Sequence, residues 1–254
     1  MLWKLRTLLW TGTFVLITRA FCGTLCAGGA AQLDFAEAEK ILEDTCLIWA
    51  YEGLKDENDY RDKSQNVIRA ALFGAQDAYA GFKYHQYERK EQGQTALPRS
   101  TPLFQIGKRI FTADQVVEYD ENPNAFTGLP RPDGGILEHY THRITRQAVE
   151  LAALRFTGHK VTQHAAPAST LLTDAGYFVV IDGLGDSGKE PKLHAVTPIA
   201  DGFLLTGEIA NVFDNDEPPV EYFELELAPG DVPGCWKRLR FTVRSKPFEE
   251  HPGM

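Results

Sequence analysis

Two histidines and two arginines lie close together near the middle of the chain, where they could bind a metal ion or an anion. Glu138 is followed by His139 and His142, and then by Arg143 and Arg146. On a helix, residues three or four apart share one face, so this spacing would place the two imidazoles side by side. Paired imidazoles on a helix are frequent zinc ligands, but a zinc site also needs further ligands.

The two arginines favour an anion over a metal at this place. No third ligand stands at a recognisable spacing, and a guanidinium group repels a divalent cation. His139, His142, Arg143 and Arg146 therefore form a candidate surface for an anionic ligand or an acidic partner protein. The alternative is that these side chains pair with the protein's own acidic residues, which are in excess.

A second candidate is a match to the phosphate-binding loop G-x-x-x-x-G-K at Gly183–Lys189. That loop needs Ser or Thr as its next residue, followed by a helix whose N-terminus faces the phosphates. Here the next residue is Glu190, and Pro191 disfavours the helix. We therefore predict no nucleotide site and no cofactor. The acidic turn Asp214–Glu217 is explained by the prolines that follow it, and we predict no metal there.

The same stretch contains Gly185–Gly188, which reads Gly-Asp-Ser-Gly and resembles the nucleophile segment of trypsin-like serine proteases. The resemblance covers these four residues only, because Lys189 replaces the family's next glycine and no Ala-His-Cys segment precedes it. The segment is predicted to be a turn of small residues. An exported hydrolase remains the alternative function, with Asp182, Asp186 or Ser187 meeting a histidine in the folded protein.

Three helices would position the residues of the N-terminal half. Asp34 can cap the first helix, with Glu37 in the capping-box position. The second helix is predicted over 62–92, and its tail carries Tyr84, His85 and Tyr87, which form either a binding surface or the exposed end of an amphipathic helix. The third is predicted over Ile136–Phe156 and ends at Gly158. Between the first two helices, Lys55–Asp62 is predicted to be a solvated linker.

The C-terminal part alternates in the manner of β-strands. Predicted strands cover Tyr177–Asp182, Leu193–Ile199, Phe203–Ile209, Glu221–Leu227 and Cys235–Arg244. In the last of them Cys235, Leu239, Phe241 and Val243 share the core face, and the arginines share the other. We predict an α+β fold, with N-terminal amphipathic helices (about 33–158) packed on a C-terminal antiparallel β-meander (about 176–244) of about five strands.

The first 31 residues have the layout of a secretory signal peptide. Basic residues Lys4 and Arg6 precede the apolar run Leu8–Thr18, and small residues fill Ala27–Ala31. We predict that 1–31 is removed and that 32–254 is a single periplasmic or secreted domain. Retention of the segment as an anchor is the alternative, although the run is shorter than the roughly 20 residues that span a bilayer.

Charge and cysteine content limit the possible partners. Of 26 basic residues three lie in 1–31, whereas all 35 acidic residues follow it. Such an acidic chain argues against nucleic-acid binding, and against membrane binding after signal cleavage. Cys46 and Cys235 remain after cleavage, and in an oxidising compartment they predict one disulfide; two buried free thiols are the alternative. The expected function is a non-enzymatic exported binding protein of the inhibitor, immunity or envelope-accessory type.

Overall fold

A computed structural model describes residues 32–52, 57–61, 64–129, 140–168, 170–180, 188–211 and 221–248. Three α-helices and eleven β-strands lie within these ranges. The predicted signal peptide 1–31 lies outside them. None of the helices in the described ranges has the length and apolar content needed to span a bilayer.

Helix α1 covers Phe35–Glu52 and begins where the sequence predicted. The carboxylate of Asp34 accepts a hydrogen bond from the backbone N–H of Glu37 at 2.7 Å, which satisfies one of the free amides of the first turn. The side chain of Glu37 accepts a hydrogen bond from the Trp236 indole at 3.1 Å. The start of α1 is therefore tied to the C-terminal part of the chain.

Helices α2 (Ser64–Glu91) and α3 (Arg146–Thr157) pack closely against each other. Gly74 marks the contact, because a Cβ atom there would lie 2.2 Å from the Phe156 ring. Gly158 ends α3 in a left-handed conformation with φ 71°, as the sequence predicted. A side chain at Gly158 would also collide with the carbonyl oxygen of Trp236 at 2.2 Å.

The prediction of one continuous helix over Ile136–Phe156 is wrong for the described residues 140–145, which are not helical. Strand β5 covers His142–Ile144, and α3 begins only after Thr145, whose hydroxyl accepts a hydrogen bond from the backbone N–H of Ala148 at 3.2 Å. The apolar residues Ile136, Tyr140 and Ile144 recur every four residues. A spacing of four fits both the helical period and the alternation of a strand, so the pattern did not distinguish them.

The larger sheet has five antiparallel strands in the order β1-β11-β10-β9-β8. They are β1 (Glu57–Asp59), β8 (Lys189–Ile199), β9 (Gly202–Asn211), β10 (Glu221–Pro229) and β11 (Trp236–Arg244). The four consecutive strands β8 to β11 agree with the predicted meander. The fifth place is taken by β1, which lies in the predicted linker and pairs with β11. Strand β1 has three residues, of which only Asn58 is buried, so it is too short to show an alternating pattern.

One face of this sheet is apolar, as predicted, but β11 departs from the expected alternation. Leu225 pairs with Phe241, whereas Leu227 pairs with Arg238, so the register shifts by one residue. A bulge of this kind moves the next side chain to the opposite face. Arg238 is consequently 2% exposed on the core side, and Leu239 is only partly buried.

The smaller sheet has four antiparallel strands in the order β4-β5-β7-β6. They are β4 (Val116–Glu118), β5, β7 (Gly176–Val179) and β6 (Thr170–Thr173). The strand predicted at Tyr177–Asp182 thus belongs to this sheet and not to the meander. Ile144, Tyr177 and Val179 pack in the main core, and Phe178 packs with Phe126 and Tyr140 on the other side. A two-stranded hairpin, β2 (Pro102–Ile106) and β3 (Arg109–Thr112), precedes the sheet.

The fold is α+β, with helices and antiparallel sheets around one main core. The described residues from Leu33 onward belong to one compact unit. The buried guanidinium of Arg238 reaches α1, where it donates hydrogen bonds to the Thr45 hydroxyl and to the Ile41 carbonyl. Both ends of β11 are therefore fixed by neighbouring elements: α1 at Trp236 and Arg238, and β1 at Thr242.

Candidate functional site

His142 is the residue of the predicted His/Arg surface that the structure places among other ionisable groups. It lies on β5 and faces α2, where its ring packs edge-on against Tyr79 at a centroid distance of 6.2 Å. Its Nε2 atom lies 3.4 Å from a carboxylate oxygen of Glu118. Its Nδ1 atom lies 2.9 Å from the hydroxyl of Thr141. Both ring nitrogens thus have a neighbour within or close to hydrogen-bond distance.

Five further side chains surround His142 in a single polar cluster, which we call the His142 network. Its members are Tyr79, Lys83, Arg99, Glu118, Glu121 and His142. The Tyr79 hydroxyl donates to Glu121 at 2.9 Å and accepts from Arg99 at 2.5 Å. Arg99 also donates to both carboxylate oxygens of Glu121, at 2.6 and 2.7 Å. These bonds join α2 to the segments on either side of the β2–β3 hairpin.

Lys83 connects the two carboxylates of the network. Its ammonium group lies 2.8 Å from Glu118 and 3.6 Å from Glu121. Two cations, Lys83 and Arg99, therefore balance two anions, Glu118 and Glu121. The network is electrically neutral when His142 is uncharged, and protonation of His142 would leave it with one excess positive charge.

The pKa of His142 is lowered from its ordinary value. Burial is the largest cause, because it disfavours the charged imidazolium, and it outweighs the opposite effect of Glu118. The pKa of Tyr79 is raised, first by burial and then by its hydrogen bond to Glu121. For Lys83, burial lowers the pKa, but the carboxylates of Glu118 and Glu121 outweigh burial and raise it overall. These shifts favour the neutral imidazole and the charged ammonium at neutral pH.

Arg143 and Arg146 do not form a surface with His142. Arg143 donates a hydrogen bond to the carbonyl of Ala175 at 3.2 Å, and Arg146 donates to the carbonyl of Thr173 at 3.0 Å. Both arginines thus hold the turn between β6 and β7. The prediction that these residues share one face of a helix is wrong, because His142 and Arg143 occupy a strand and point to opposite faces of the sheet. His139 lies outside the described residues.

A second histidine, His164, links a carboxylate to a hydroxyl. Its Nε2 atom lies 3.4 Å from Glu150, and its Nδ1 atom lies 2.8 Å from the Tyr177 hydroxyl. Acid, imidazole and hydroxyl in this order are the components of a nucleophile triad. However, Tyr177 is 0% exposed, and burial raises its pKa to about 12. Both effects oppose nucleophilic attack, which needs an accessible group with a lowered pKa.

The predicted disulfide is absent, because Cys46 and Cys235 are free thiols. Cys235 precedes Trp236, whose indole bonds Glu37 in the first turn of α1. Cys46 lies nine residues beyond Glu37, which is about 13 Å along a helix axis. A disulfide needs Cα atoms within about 7 Å and a matching side-chain geometry, and the structure does not join the two sulfur atoms. Burial raises the pKa of Cys46 to about 12.

Several other candidates lie outside the described residues, namely Asp182, Asp186, Ser187 and Asp214–Glu217. Lys189, the lysine of the phosphate-loop pattern, begins strand β8. A phosphate loop requires a helix at this point, whereas Glu190 and Pro191 lie in a strand.

Among the described helical residues, the C-terminal part of α2 carries the most exposed aromatic side chains. Tyr84 and Tyr87 are 54% and 60% exposed. On another side of the same turns, the Gln86 amide exchanges two hydrogen bonds with the backbone of Leu97, at 2.5 and 2.8 Å. Arg89 donates to the carbonyl of Thr95 at 2.7 Å. The segment that follows α2 therefore covers the side with Gln86 and Arg89 and leaves the two tyrosines open.

Sequence reasoning found His142, Tyr84 and Tyr87 but missed most of the His142 network. Lys83, Arg99, Glu118 and Glu121 come from segments that are distant in sequence and meet only in the folded chain. Each is an ordinary surface residue type without a local motif. The charge clusters of 82–91 and 118–121 were visible, but nothing in the sequence indicated that they pair with each other.

Comparisons with protein-family models, with curated proteins and with solved structures found no match for this chain.

Proposed function

We propose that the protein is an exported, non-enzymatic binding protein of the inhibitor, immunity or envelope-accessory type, and that it binds an acidic partner protein through the C-terminal turns of α2. Export rests on the signal-peptide layout of 1–31, which is typical of proteins delivered to the periplasm or outside the cell. The binding surface rests on Tyr84 and Tyr87.

The two exposed tyrosines are the observation that carries the proposal. Tyr84 and Tyr87 are three residues apart on α2, so they lie on one face of the helix. Tyrosine is enriched at protein interfaces because it offers a large apolar area together with a hydroxyl, at little cost in conformational entropy. The helix that carries them is fixed by the Gln86 and Arg89 hydrogen bonds, so the surface is ordered before a partner arrives.

The charges around the tyrosines are compatible with an acidic partner. In the last turns of α2, Arg89 and Lys90 balance Glu88 and Glu91, and Lys83 is paired with Glu118 and Glu121. The chain as a whole carries a formal charge of −9, so this region is less acidic than the chain as a whole. An acidic partner is therefore repelled less by this region than by a typical part of the protein surface.

The alternative, an exported hydrolase, receives less support. The described residues do place histidines near carboxylates, at His142 with Glu118 and at His164 with Glu150. The carboxylate of Glu118 is also bound by Lys83, and the hydroxyl that His164 contacts is buried. Neither arrangement offers an activated nucleophile at the surface.

The test is co-purification from the culture's extracytoplasmic fraction with the wild-type chain, the double variant Tyr84→Ser/Tyr87→Ser and a control. The control is Phe35→Ser/Ile110→Ser, which removes two other exposed apolar side chains. We expect an acidic protein to co-purify with the wild type and the control, and binding to the tyrosine variant to be weakened by about tenfold or more. Equal recovery with the tyrosine variant would refute the proposed surface.

A further inference from the structure

A depression of about 410 Å³ lies at one corner of the five-stranded sheet. It is lined by Glu57, Thr242, Val243, Arg244, Ser245 and Lys246. All six residues belong to β1, to the end of β11 or to the segment just after it. The depression is therefore separate in the fold from the His142 network, which involves the four-stranded sheet.

The unequal lengths of β1 and β11 explain why a depression forms here. Glu57, the first residue of β1, lies opposite Thr242. Strand β11 continues for two more residues, to Arg244, and there pairs with Tyr222 of β10 on its other side. Phe241 and Val243 are buried in the core, so Thr242 and Arg244 point to the opposite, outer face of the sheet.

Thr242 lies in the wall of the depression and is an unusual residue for this face. It is 5% exposed, and its hydroxyl has no hydrogen-bond partner among the described residues. Its cross-strand neighbours on the same face are the acidic residues Glu57 and Glu224, yet it donates to neither. Buried hydroxyl groups in folded proteins almost always have a partner. The Thr242 hydroxyl therefore has an unused hydrogen-bonding capacity next to the depression.

Two cations line the same depression without an ion pair among the described residues. The Arg244 guanidinium lies over the Phe248 ring, 4.5 Å from its centroid, which restricts its orientation. Lys246 and the hydroxyl of Ser245 are exposed beside it. By contrast, Arg240, which lies earlier in β11 on the same outer face, forms an ion pair with Glu226. In a chain with 35 acidic residues, two neighbouring cations left unpaired are available for an external anion.

We propose that this depression binds a small phosphomonoester whose organic part carries a hydroxyl group. Arg244, Lys246, Ser245 and Thr242 together supply charged and neutral donors suited to a tetrahedral oxyanion. Glu57 lies in the same lining and accepts a hydrogen bond from the hydroxyl of the ligand. The volume of the depression lies in the range of small-molecule sites. The proposal is independent of the partner surface on α2.

The first experiment is calorimetric titration of the full chain with glycerol 3-phosphate. We expect saturable binding, weakened about tenfold or more by Arg244→Gln and less by Lys246→Gln, because a guanidinium makes two charge-assisted bonds to phosphate. Lys108→Gln is the matched control, since Lys108 is an exposed lysine at the β2–β3 turn, and it should leave the affinity unchanged. No binding by the wild type up to about 10 mM ligand would overturn the proposal.

The second experiment isolates the buried hydroxyl. Thr242→Val keeps the shape of the side chain and its preference for a strand, and it removes an unpaired polar group. We therefore expect a melting temperature at or above that of the wild type, together with about tenfold weaker binding of glycerol 3-phosphate. Unchanged affinity in this variant would contradict the assignment of Thr242 to the site.

Two comparison ligands define the chemical class. Glycerate carries a carboxylate in place of the phosphate and is expected to bind more weakly than glycerol 3-phosphate, because a carboxylate accepts fewer hydrogen bonds. Inorganic phosphate lacks the alcohol hydroxyl that the proposal assigns to Glu57 and is also expected to bind more weakly. Tighter binding of glycerate would overturn the phosphate assignment, and equally tight inorganic phosphate would overturn the role of Glu57.

Discussion

His142 shows two electrostatic effects in competition at one residue. A neighbouring carboxylate normally raises the pKa of a histidine, and Glu118 acts in this direction. Burial against Tyr79 acts in the opposite direction and is stronger, so the pKa falls. Glu118 is also shared with Lys83, which weakens its effect on the imidazole. A neutral His142 completes a network with equal numbers of cations and anions.

The lowered pKa of His142 predicts a loss of stability in mild acid. In the unfolded chain His142 has its ordinary pKa of 6.5, and in the folded chain its pKa is lower. As the pH falls below about 6.5, the unfolded chain takes up a proton before the folded one does, so the free energy of unfolding decreases. Above that pH the contribution of His142 is fully present. Urea denaturation from about pH 7.5 to 5.5 measures the effect.

The variant His142→Gln is the comparison for this measurement. It should show a smaller decrease in the free energy of unfolding over the same pH range, because the titrating group is absent. His159 also has a lowered pKa through burial, and Asp77 has a raised one, but both are present in the two proteins and cancel in the difference. An identical pH dependence in the variant would contradict a buried, neutral His142.

At the scale of elements, α2 has two parts with different environments. From Val67 to Phe82 the apolar side of the helix is buried in the main core, whereas the turns from Lys83 onward are largely exposed. Gly74 lies in the first part, against the Phe156 ring of α3. Gly81 lies where the exposed part begins, and a Cβ atom there would have no neighbour within 4 Å. Gly74 is therefore needed for the close contact between α2 and α3, whereas no neighbouring atom requires a glycine at position 81.

Alanine substitutions at these glycines are predicted to have opposite effects. Gly74→Ala forces the two helices apart at their closest contact and should lower the free energy of unfolding by about 1–3 kcal/mol, the usual cost of overpacking. Gly81→Ala removes a flexible residue from a helix without a clash and should raise it by about 0.5–1 kcal/mol. Chemical denaturation of both variants measures the difference. Stabilisation by Gly74→Ala would show that α2 and α3 are not in close contact there.

At the scale of the whole molecule, α1 packs against β8 and is joined to β11 by side-chain hydrogen bonds. The Glu37 carboxylate accepts a hydrogen bond from the Trp236 indole. Further along α1, Ile41 and Thr45 accept hydrogen bonds from the Arg238 guanidinium. The charged groups that act on the pKa of Cys46 are Lys189 and Glu221, at the starts of β8 and β10. Those that act on the pKa of Cys235 are Arg155 and Glu37. The two thiols therefore have different electrostatic surroundings, and only Cys46 is buried in the core.

Thiol labelling tests this arrangement. Cys46 is buried and its pKa is raised to about 12, whereas Cys235 is partly exposed. We expect iodoacetamide to modify Cys235 in the native protein at least about tenfold faster than Cys46, because the reagent needs an accessible thiolate. After denaturation without a reductant, peptide mapping should find both residues alkylated. A peptide linking Cys46 to Cys235 would contradict the structure.

The sequence by itself determined features that depend on local chemistry. The cap at Asp34, the end of α3 at Gly158 and the apolar faces of β9 and β10 each follow from residue types within a few positions. The phosphate-loop match could also be dismissed locally, because Glu190 and Pro191 follow it directly. The α+β class follows from these patterns and agrees with the structure.

Only the tertiary structure decided the features that depend on distant partners. The segment from His142 to Ile144 becomes a strand because β4 and β7 provide backbone partners on both sides. The register shift in β11 brings Arg238 into the core, where α1 provides its acceptors. The disulfide failed as a prediction because the faces on which two cysteines lie do not determine the distance between them. A local pattern specifies periodicity, whereas pairing, register and distance depend on residues far away in the sequence.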